Sequence, residues 1–272
     1  MAILITGAKG FIGSRLAILL KEDGFDTVFF EGDIRDRRQV LNWQMNQSIE
    51  AVIHLASVTS KKNDEIFKTV NIDGTRNIVE YCKKNGIQRL VFLSSLKVLS
   101  RLSNPYNESK REAEKIIIAS GVPYIILRPS MVYGPGDKKN IGFLLKLAKT
   151  LPFMPGLGFR MQLIFIDDLA EMIITSLNLE PNQIINIAGR TASYSDLLNF
   201  LKTLGYKFSI INWPKFFAAF LKTASRLNLI SMPAWQVDSL LADEIFGEED
   251  WHKLFNIKET SLNEGLIKTV KK

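Results

Sequence analysis

Ile3-Leu4-Ile5-Thr6-Gly7-Ala8-Lys9-Gly10-Phe11-Ile12-Gly13 decides how the rest of the chain is read: an apolar run breaks into three glycines spaced three apart and then turns helical. Each glycine has a separate use where a strand gives way to a helix. Gly7 permits a tight turn, Gly10 lets bare backbone approach a pyrophosphate, and Gly13 lets helix pack closely on strand. A phosphate can then sit on the helix N-terminus. The helix is visible in the pattern, because Ile12, Leu16, Leu19 and Leu20 recur at helical spacing, Arg15, Lys21, Glu22 and Asp23 take the other face, and Gly24 supplies the stop. A lone glycine triplet is a weak signal that a plain strand-to-helix turn also explains, so the next strand matters.

That strand, Asp26 to Glu31, ends in an acid eighteen residues past Gly13. The spacing is close to that at which a carboxylate meets the adenosine ribose of NAD, so Glu31 is the expected ribose contact. An acid there repels the extra phosphate of NADP. Arg35, Arg37 and Arg38 lie just beyond and have the charge to meet that phosphate, so NAD is expected first and NADP stays open.

At 272 residues the chain suits one doubly wound domain plus a smaller lobe better than two independent domains. Lysine and arginine outnumber aspartate and glutamate by 35 to 28, a formal charge of +7 that suits a diphosphate substrate. The basic residues are spread along the chain without an arginine-rich arm, which argues against nucleic acid as a partner. A single cysteine, Cys82, beside Ile78 and Val79 on a helical pattern, reads as a buried thiol in a reducing compartment. With His54 and His252 as the only histidines, no zinc cluster is expected and a Ser/His/Asp triad has little support. His54 reads as core packing. No apolar run approaches the roughly eighteen residues of a membrane span, and the chain begins on a strand, so a cytoplasmic protein is expected.

Beyond Gly32-Asp33-Ile34-Arg35-Asp36, where Asp33 is a candidate adenine contact, Glu50 to Ser57 reads as a buried strand and about Asp64 to Lys84 as a long helix. Asn71 and Gly74 interrupt that helix, and Asn71 is either a local helix-bending residue or a strut toward the cofactor pocket. The strand Arg89 to Ser95 turns polar only at Ser94 and Ser95, the end at which a parallel sheet presents chemistry. A helix from Tyr106 to about Ala119 and a strand from Tyr124 to Arg128 follow. Strand and helix alternate, which predicts an α/β fold with a parallel sheet covered on both faces. Later come a loop marked by Pro152, Pro155, Gly156 and Gly158, a strand from Phe159 to Ile166, a helix capped by Asp167-Asp168, and a last sheet strand from Gln183 to Ala188. The remainder reads as helical, including an amphipathic stretch from Trp213 to Leu229. The expected division is a dinucleotide-binding domain of residues 1–135 and about 160–190, interleaved with a substrate lobe of about 136–159 and 191–272.

Tyr106 and Lys110 are four apart and share a helix face. Moving a phenol from a pKa of about 10 to about 7 takes roughly 4 kcal/mol. A cation about 5 Å away at an effective dielectric of about 20 supplies roughly 3 kcal/mol, so Lys110 is expected to tune Tyr106. The pair alone is common by chance; Ser95 at a strand end just before it gives it weight.

These residues resemble the extended branch of the short-chain dehydrogenase/reductase family, specifically its nucleotide-sugar epimerases and reductases. The resemblance rests on Thr6 to Gly13, Gly32 to Asp36, His54-Leu55-Ala56, Asn71 to Thr75, Ser94-Ser95, Tyr106 to Lys110 and Leu127 to Gly136, over roughly the first 190 residues. Ser94 to Val98 and Pro129 to Asn140 further resemble UDP-N-acetylglucosamine-type 4-epimerases and UDP-N-acetylquinovosamine 4-ketoreductases of surface-polysaccharide pathways. The resemblance implies a Rossmann-type fold with a smaller, mainly helical substrate lobe and a homodimer through the Asp64 and Tyr106 helices. It makes Tyr106 the general acid/base, Lys110 the holder of the nicotinamide ribose, and Ser95 the partner of the reacting sugar oxygen. The cofactor set it implies is Gly7, Gly10, Phe11, Ile12, Gly13, Glu31, Asp33, Ile34, Leu55, Ala56, Ser57, Asn71, Tyr106, Lys110, Pro129 and Val132. Substrate contacts fall on Ser95, Lys97, Ser130, Met131, Asn140 and Arg160.

Three departures bear on substrate. Leu96 and Lys97 stand where family dehydratases carry acids, the links before Tyr106 and after Glu31 are short, and Met161 occupies the place of the family's diphosphate-binding arginine, with Arg160 beside it. The leading expectation is an NAD-dependent nucleotide-sugar 4-epimerase or 4-ketoreductase acting on a UDP-linked sugar. A cofactor-binding regulatory or assembly protein without turnover, and a reductase of another ketone such as a steroid or flavonoid-like compound, remain as alternatives.

Overall fold

Ala2–Thr6 (β1) is buried along its whole length, as a strand covered on both faces must be. The computed structural model describes residues 2–44, 48–59, 63–212, 234–247 and 251–271, with 223, 225 and 227 as single positions. After β1 come α1 (Phe11–Glu22), β2 (Asp26–Phe30), α2 (Arg37–Leu41), β3 (Ile49–His54), α3 (Gly74–Lys84), β4 (Arg89–Leu93), α4 (Pro105–Ile118) and β5 (Tyr124–Pro129). Next are β6 (Met131–Tyr133), α5 (Ile141–Thr150), β7 (Phe153–Gly156), β8 (Arg160–Phe165), α6 (Ile166–Ser176) and β9 (Gln183–Ile187). The last described elements are β10 (Arg190–Ser193), α7 (Tyr194–Thr203), β11 (Ser209–Asn212), α8 (Ala234–Leu241), α9 (Trp251–Phe255) and α10 (Leu262–Val270).

Two units divide the chain. The first comprises Met1–Pro129, Asp167–Ile187 and Glu249–Lys258, the second Ser130–Ile166, Ala188–Glu248 and Glu259–Lys272. The first carries a six-stranded sheet in the order β2-β1-β3-β4-β5-β9, parallel at every pairing. That is the doubly wound sheet the alternation predicts. Leu4, Phe30, Val52, Ile78, Leu90, Phe92, Ile117 and Ile126 form its core, each buried side chain contributing about 1.5–3 kcal/mol. Cys82 sits in the same cluster at 1% exposure, and burial pushes its thiol up to about 12, so it is an inert packing residue.

The long helix expected from Asp64 is not uniform: Phe67–Asp73 forms a π-helical turn that runs into α3. Two residues shape it. Asn71 gives its amide to the loop after β3, and Gly74 admits Ile34 so closely that a Cβ there would stand 2.6 Å from the Ile34 Cδ1.

The second unit holds a three-stranded sheet, β10-β8-β6, and a two-stranded one, β11-β7. Several expectations are corrected here. The Pro152–Gly158 stretch contains a strand, because Phe153 to Gly156 pairs with Ser209 to Asn212. The region past 190 includes strands β10 and β11 and is not wholly helical. β8 falls in the second unit although it was expected with the first, since its partners are β6 and β10. Asp167 and Asp168 lie within the first turn of α6, where their charge suits the helix dipole, and do not precede it as caps. The Trp213–Leu229 helix falls outside the described residues, three single positions aside. Among the described residues no helix is long and apolar enough to cross a membrane, and no group of His, Cys, Asp or Glu is placed to hold a metal.

Candidate active site

The end of β1 is tied to its neighbours by an uninterrupted line of hydrogen bonds. Thr6 Oγ1 lies 2.6 Å from His54 Nδ1, His54 Nε2 lies 3.0 Å from Thr75 Oγ1, and the Thr75 hydroxyl donates to the Asn71 carbonyl at 2.6 Å. Because Thr75 spends its proton on Asn71, its oxygen takes the imidazole Nε2–H, and Nδ1 accepts from Thr6. His54 is therefore a neutral strut; burial first, and the Lys110 charge second, push it down to about 3. The Asn71 side chain continues the line, accepting from Val58 N at 2.8 Å and donating to Val58 O at 3.0 Å and Ser109 Oγ at 2.9 Å. Ser109 Oγ in turn donates to the Tyr106 carbonyl at 2.8 Å. Asn71 thus combines helix bending with bracing: it sits in the π-helical turn and ties it to the loop after β3 and to α4.

Leu55 and Ala56 are bound to Thr6 as β3 ends, Leu55 N to the carbonyl at 3.2 Å and Ala56 N to the hydroxyl at 3.3 Å. This lays the segment from Leu55 to the part-buried Ser57 beside the glycine turn. Gly7 has φ +76°, and a Cβ on it would stand 2.7 Å from Ala56 N; one on Gly13 would stand 2.3 Å from the Gly7 carbonyl oxygen. Gly10 differs. A Cβ there would meet the Gly7 oxygen at 3.1 Å and nothing else among the described residues, leaving backbone open toward the first turn of α1 at Phe11 and Ile12. The turn thus fits the pyrophosphate of a dinucleotide: two glycines enforced by packing, and one left bare for approach. Gly7→Ala is expected to cost about 1–3 kcal/mol through the left-handed backbone and the Ala56 contact, and to weaken NADH binding in a fluorescence titration.

Glu31, the expected ribose contact, is exposed and meets Lys9 Nζ at 3.2 Å. The Asp33 carboxylate accepts from Arg35 Nη2 at 2.6 Å, and this guanidinium holds it below the usual carboxylate range. Ile34 is buried against Gly74, and its carbonyl accepts from Asn77 Nδ2 at 2.8 Å. Asn77 is a contributor that the sequence reading missed.

The chemistry-bearing side chains follow β4. Ser95 stands just past Leu93 and Ser94, where its oxygen accepts from Lys97 N at 3.2 Å and begins a short 3-10 turn, Leu96–Leu99. Tyr106 opens α4, held in place by Pro105 at the helix start and by the Asn104 cap on Asn107 N at 2.9 Å. Its ring packs edge-on to Phe67, centroids 6.4 Å apart. Burial pushes the Tyr106 phenol up and a hydrogen bond with Ser95 draws it back, so serine and tyrosine are brought together as expected.

Lys110 behaves differently from the expectation. Its Nζ donates to the Leu93 carbonyl at 2.8 Å and lies 4.6 Å from the Phe92 ring centroid. Burial pushes it down to about 7, opposed by the Glu114 charge. The groups acting on the Tyr106 phenol here are burial and Ser95, while the buried Lys110 amine turns to the Leu93 carbonyl as its acceptor.

Among the substrate candidates, Lys97 belongs to the first unit and Ser130, Met131, Asn140 and Arg160 to the second. Ser130 Oγ accepts from Gly189 N at 3.1 Å, and Asn140 Nδ2 donates to the Val132 carbonyl at 3.1 Å. Met131 and Val132 are β6 residues paired with Leu163 and Ile164, while Pro129 closes β5 opposite Ile187. Arg160 is engaged by Asp243, Nη2 to Oδ2 at 3.1 Å, and Met161 beside it is buried.

Residues 3–188 match the NAD dependent epimerase/dehydratase family. The chain belongs to that family. A UDP-glucose 4-epimerase of Vibrio cholerae is 29% identical over 220 residues, 65% of this chain and 66% of the relative. A ceramide reductase of Caulobacter vibrioides is 29% identical over 192 residues, 63% of this chain and 59% of the relative. The chain thus spans two thirds or less of these relatives' lengths. The crystal structure of a UDP-glucose 4-epimerase with UDP-glucose from Thermotoga maritima has a TM-score of 0.78 at 21% identity, covering 100% of this chain and 98% of that one, and shares the fold. The family is NAD-dependent by its description, and the glycine turn fits such a cofactor.

Proposed function

We propose that the chain is an NAD-dependent nucleotide-sugar 4-epimerase or 4-ketoreductase of the cytoplasm, acting on a UDP-linked sugar. The observation that carries this is the Ser95–Tyr106 hydrogen bond just past β4, with the Tyr106 backbone tied through Ser109, Asn71, Thr75 and His54 to the end of β1, where the turn fits a dinucleotide. Ser95 holds the reacting sugar oxygen, Tyr106 takes and returns its proton, and Lys110 holds the nicotinamide ribose. Bound NAD supplies hydride exchange with the sugar C4. Lys97, Ser130, Met131, Asn140 and Arg160 are the proposed substrate contacts, and a homodimer through the helices near Asp64 and Tyr106 completes the reading.

A second reading, reduction of a ketone that carries no nucleotide, has support of its own. Met161 replaces the arginine expected on a diphosphate, Arg160 is already paired with Asp243, and a ceramide reductase is among the relatives. One experiment separates them: bound nicotinamide is read by absorbance on the purified protein, which is then offered UDP- and TDP-sugars and, separately, long-chain and steroid ketones with NADH. Turnover of a UDP-sugar is the expected result; turnover of ketones alone transfers the assignment to the second reading. NADH binding without any turnover makes the chain a cofactor-binding regulatory protein. Sedimentation of the same preparation is expected to give twice the 30.8 kDa chain mass, and a monomer throughout contradicts the dimer.

A further inference from the structure

Glu114 is a buried carboxylate with no task in the chemistry described above. It is 4% exposed, one turn beyond Lys110 on α4, and both oxygens are engaged. Oε1 accepts from the Ser94 hydroxyl and from Arg128 Nε at 3.0 Å, and Oε2 accepts from Arg128 Nη2 at 2.6 Å. Arg128 is steered in turn by Asn186 Oδ1 on the adjoining strand, at 3.4 Å. Three strands and a helix thereby fix the location of one negative charge. Such a pair adds little to stability compared with apolar groups of the same shape, so its constraint calls for another reason.

The reason is the neighbouring cation. We infer that Glu114 is a positioning residue for Lys110: four residues on along the same helix face, and fastened to Ser94 just past β4 and to Arg128 on β5, it fixes a negative charge beside the amine that donates to the adjoining Leu93 carbonyl. The inference rests on the reading of Tyr106 and Lys110 as the working pair. Burial drives the Lys110 amine down, and Glu114 is the group that pushes it back up. The other groups around Lys110 do not substitute for it. His54, from β3, is neutral; Tyr106, on the same helix, bonds to Ser95; and Arg128, from β5, is consumed by Glu114 itself.

Glu114→Gln keeps the size and removes the charge. Its effect is read on full-length protein carrying lysine labelled at Cε, with the Lys110 NMR signal identified by its loss in Lys110→Met. The wild-type signal should titrate near pH 7, and the variant at least about one pH unit lower. Because this substitution strands the Arg128 cation in the interior, where it would itself depress Lys110, Glu114→Gln/Arg128→Met is measured beside it; it removes both charges and should show a smaller displacement in the same, downward direction. Glu114→Asp, which restores the carboxylate, should return the midpoint toward wild type. An unmoved midpoint in the double variant overturns the inference, whatever the single variant shows. NADH fluorescence keeps the two readings apart: a displaced Lys110 titration in protein that never binds NADH sinks the proposed function and leaves the role of Glu114 standing.

Discussion

Tyr106→Phe should lower kcat/KM by at least about a hundredfold, the usual worth of a general acid/base, while NADH binding stays within a few fold of wild type. The substitution removes one oxygen and little else. Phenylalanine keeps the edge-on contact with Phe67, and the Ser109 bond to the residue 106 carbonyl is a backbone contact the side chain does not enter. The expected stability loss is therefore about 1 kcal/mol, for the bond with Ser95. Most of the proposed dinucleotide contacts lie away from the phenol, at the Gly7 turn and the Leu55–Ser57 segment. Steady-state kinetics on the substrate found in the screen and a fluorescence titration with NADH check the two halves. Turnover above about a tenth of wild type would remove Tyr106 from its role.

The second large effect is on acid stability. His54 titrates near 3 in the folded protein against 6.5 when exposed, so the native state binds fewer protons than the unfolded one. Its contribution is complete above about pH 6.5 and is lost as the pH falls from there to about 3; the whole gap corresponds to about 5 kcal/mol, of which about 2 is gone by pH 5. Urea unfolding of the wild type and His54→Asn at pH 7.5 and pH 5 tests this, since the carboxylates are common to both proteins. The variant should be less stable at pH 7.5 and should lose about 2 kcal/mol less on acidification. Equal losses would mean that His54 does not stay neutral.

The sequence made some of this site plain and hid the rest for identifiable reasons. Gly7 and Gly13 were legible because a backbone turn leaves no choice of residue, and β1, β3 and β4 because a strand buried on both faces carries an unbroken apolar run, here Ala2–Ile5, Ala51–Ile53 and Leu90–Leu93. Ser95, Tyr106 and Lys110 were legible from their order. The end of the Lys110 side chain was not: spacing fixes a helix face, whereas the position of a long amine depends on which buried carbonyl needs a donor, here Leu93. The π-helical turn depends on Asn71 meeting Val58 across a loop, and Glu114 on an arginine from another strand; neither leaves a local pattern. Strands β6, β7, β10 and β11 have only three or four residues each, too few for alternation to show.

The line of polar contacts from Thr6 through His54, Thr75, Asn71 and Ser109 to the Tyr106 backbone makes one rigid frame of parts drawn from β1, β3, the π-helical turn and α4. An arriving dinucleotide then meets a preassembled seat and need not spend its own affinity on ordering it. Damage should travel along the frame as well: a lesion at Thr75, far in sequence from both ends, would loosen the end of β1 before the glycine turn and the Tyr106 backbone together.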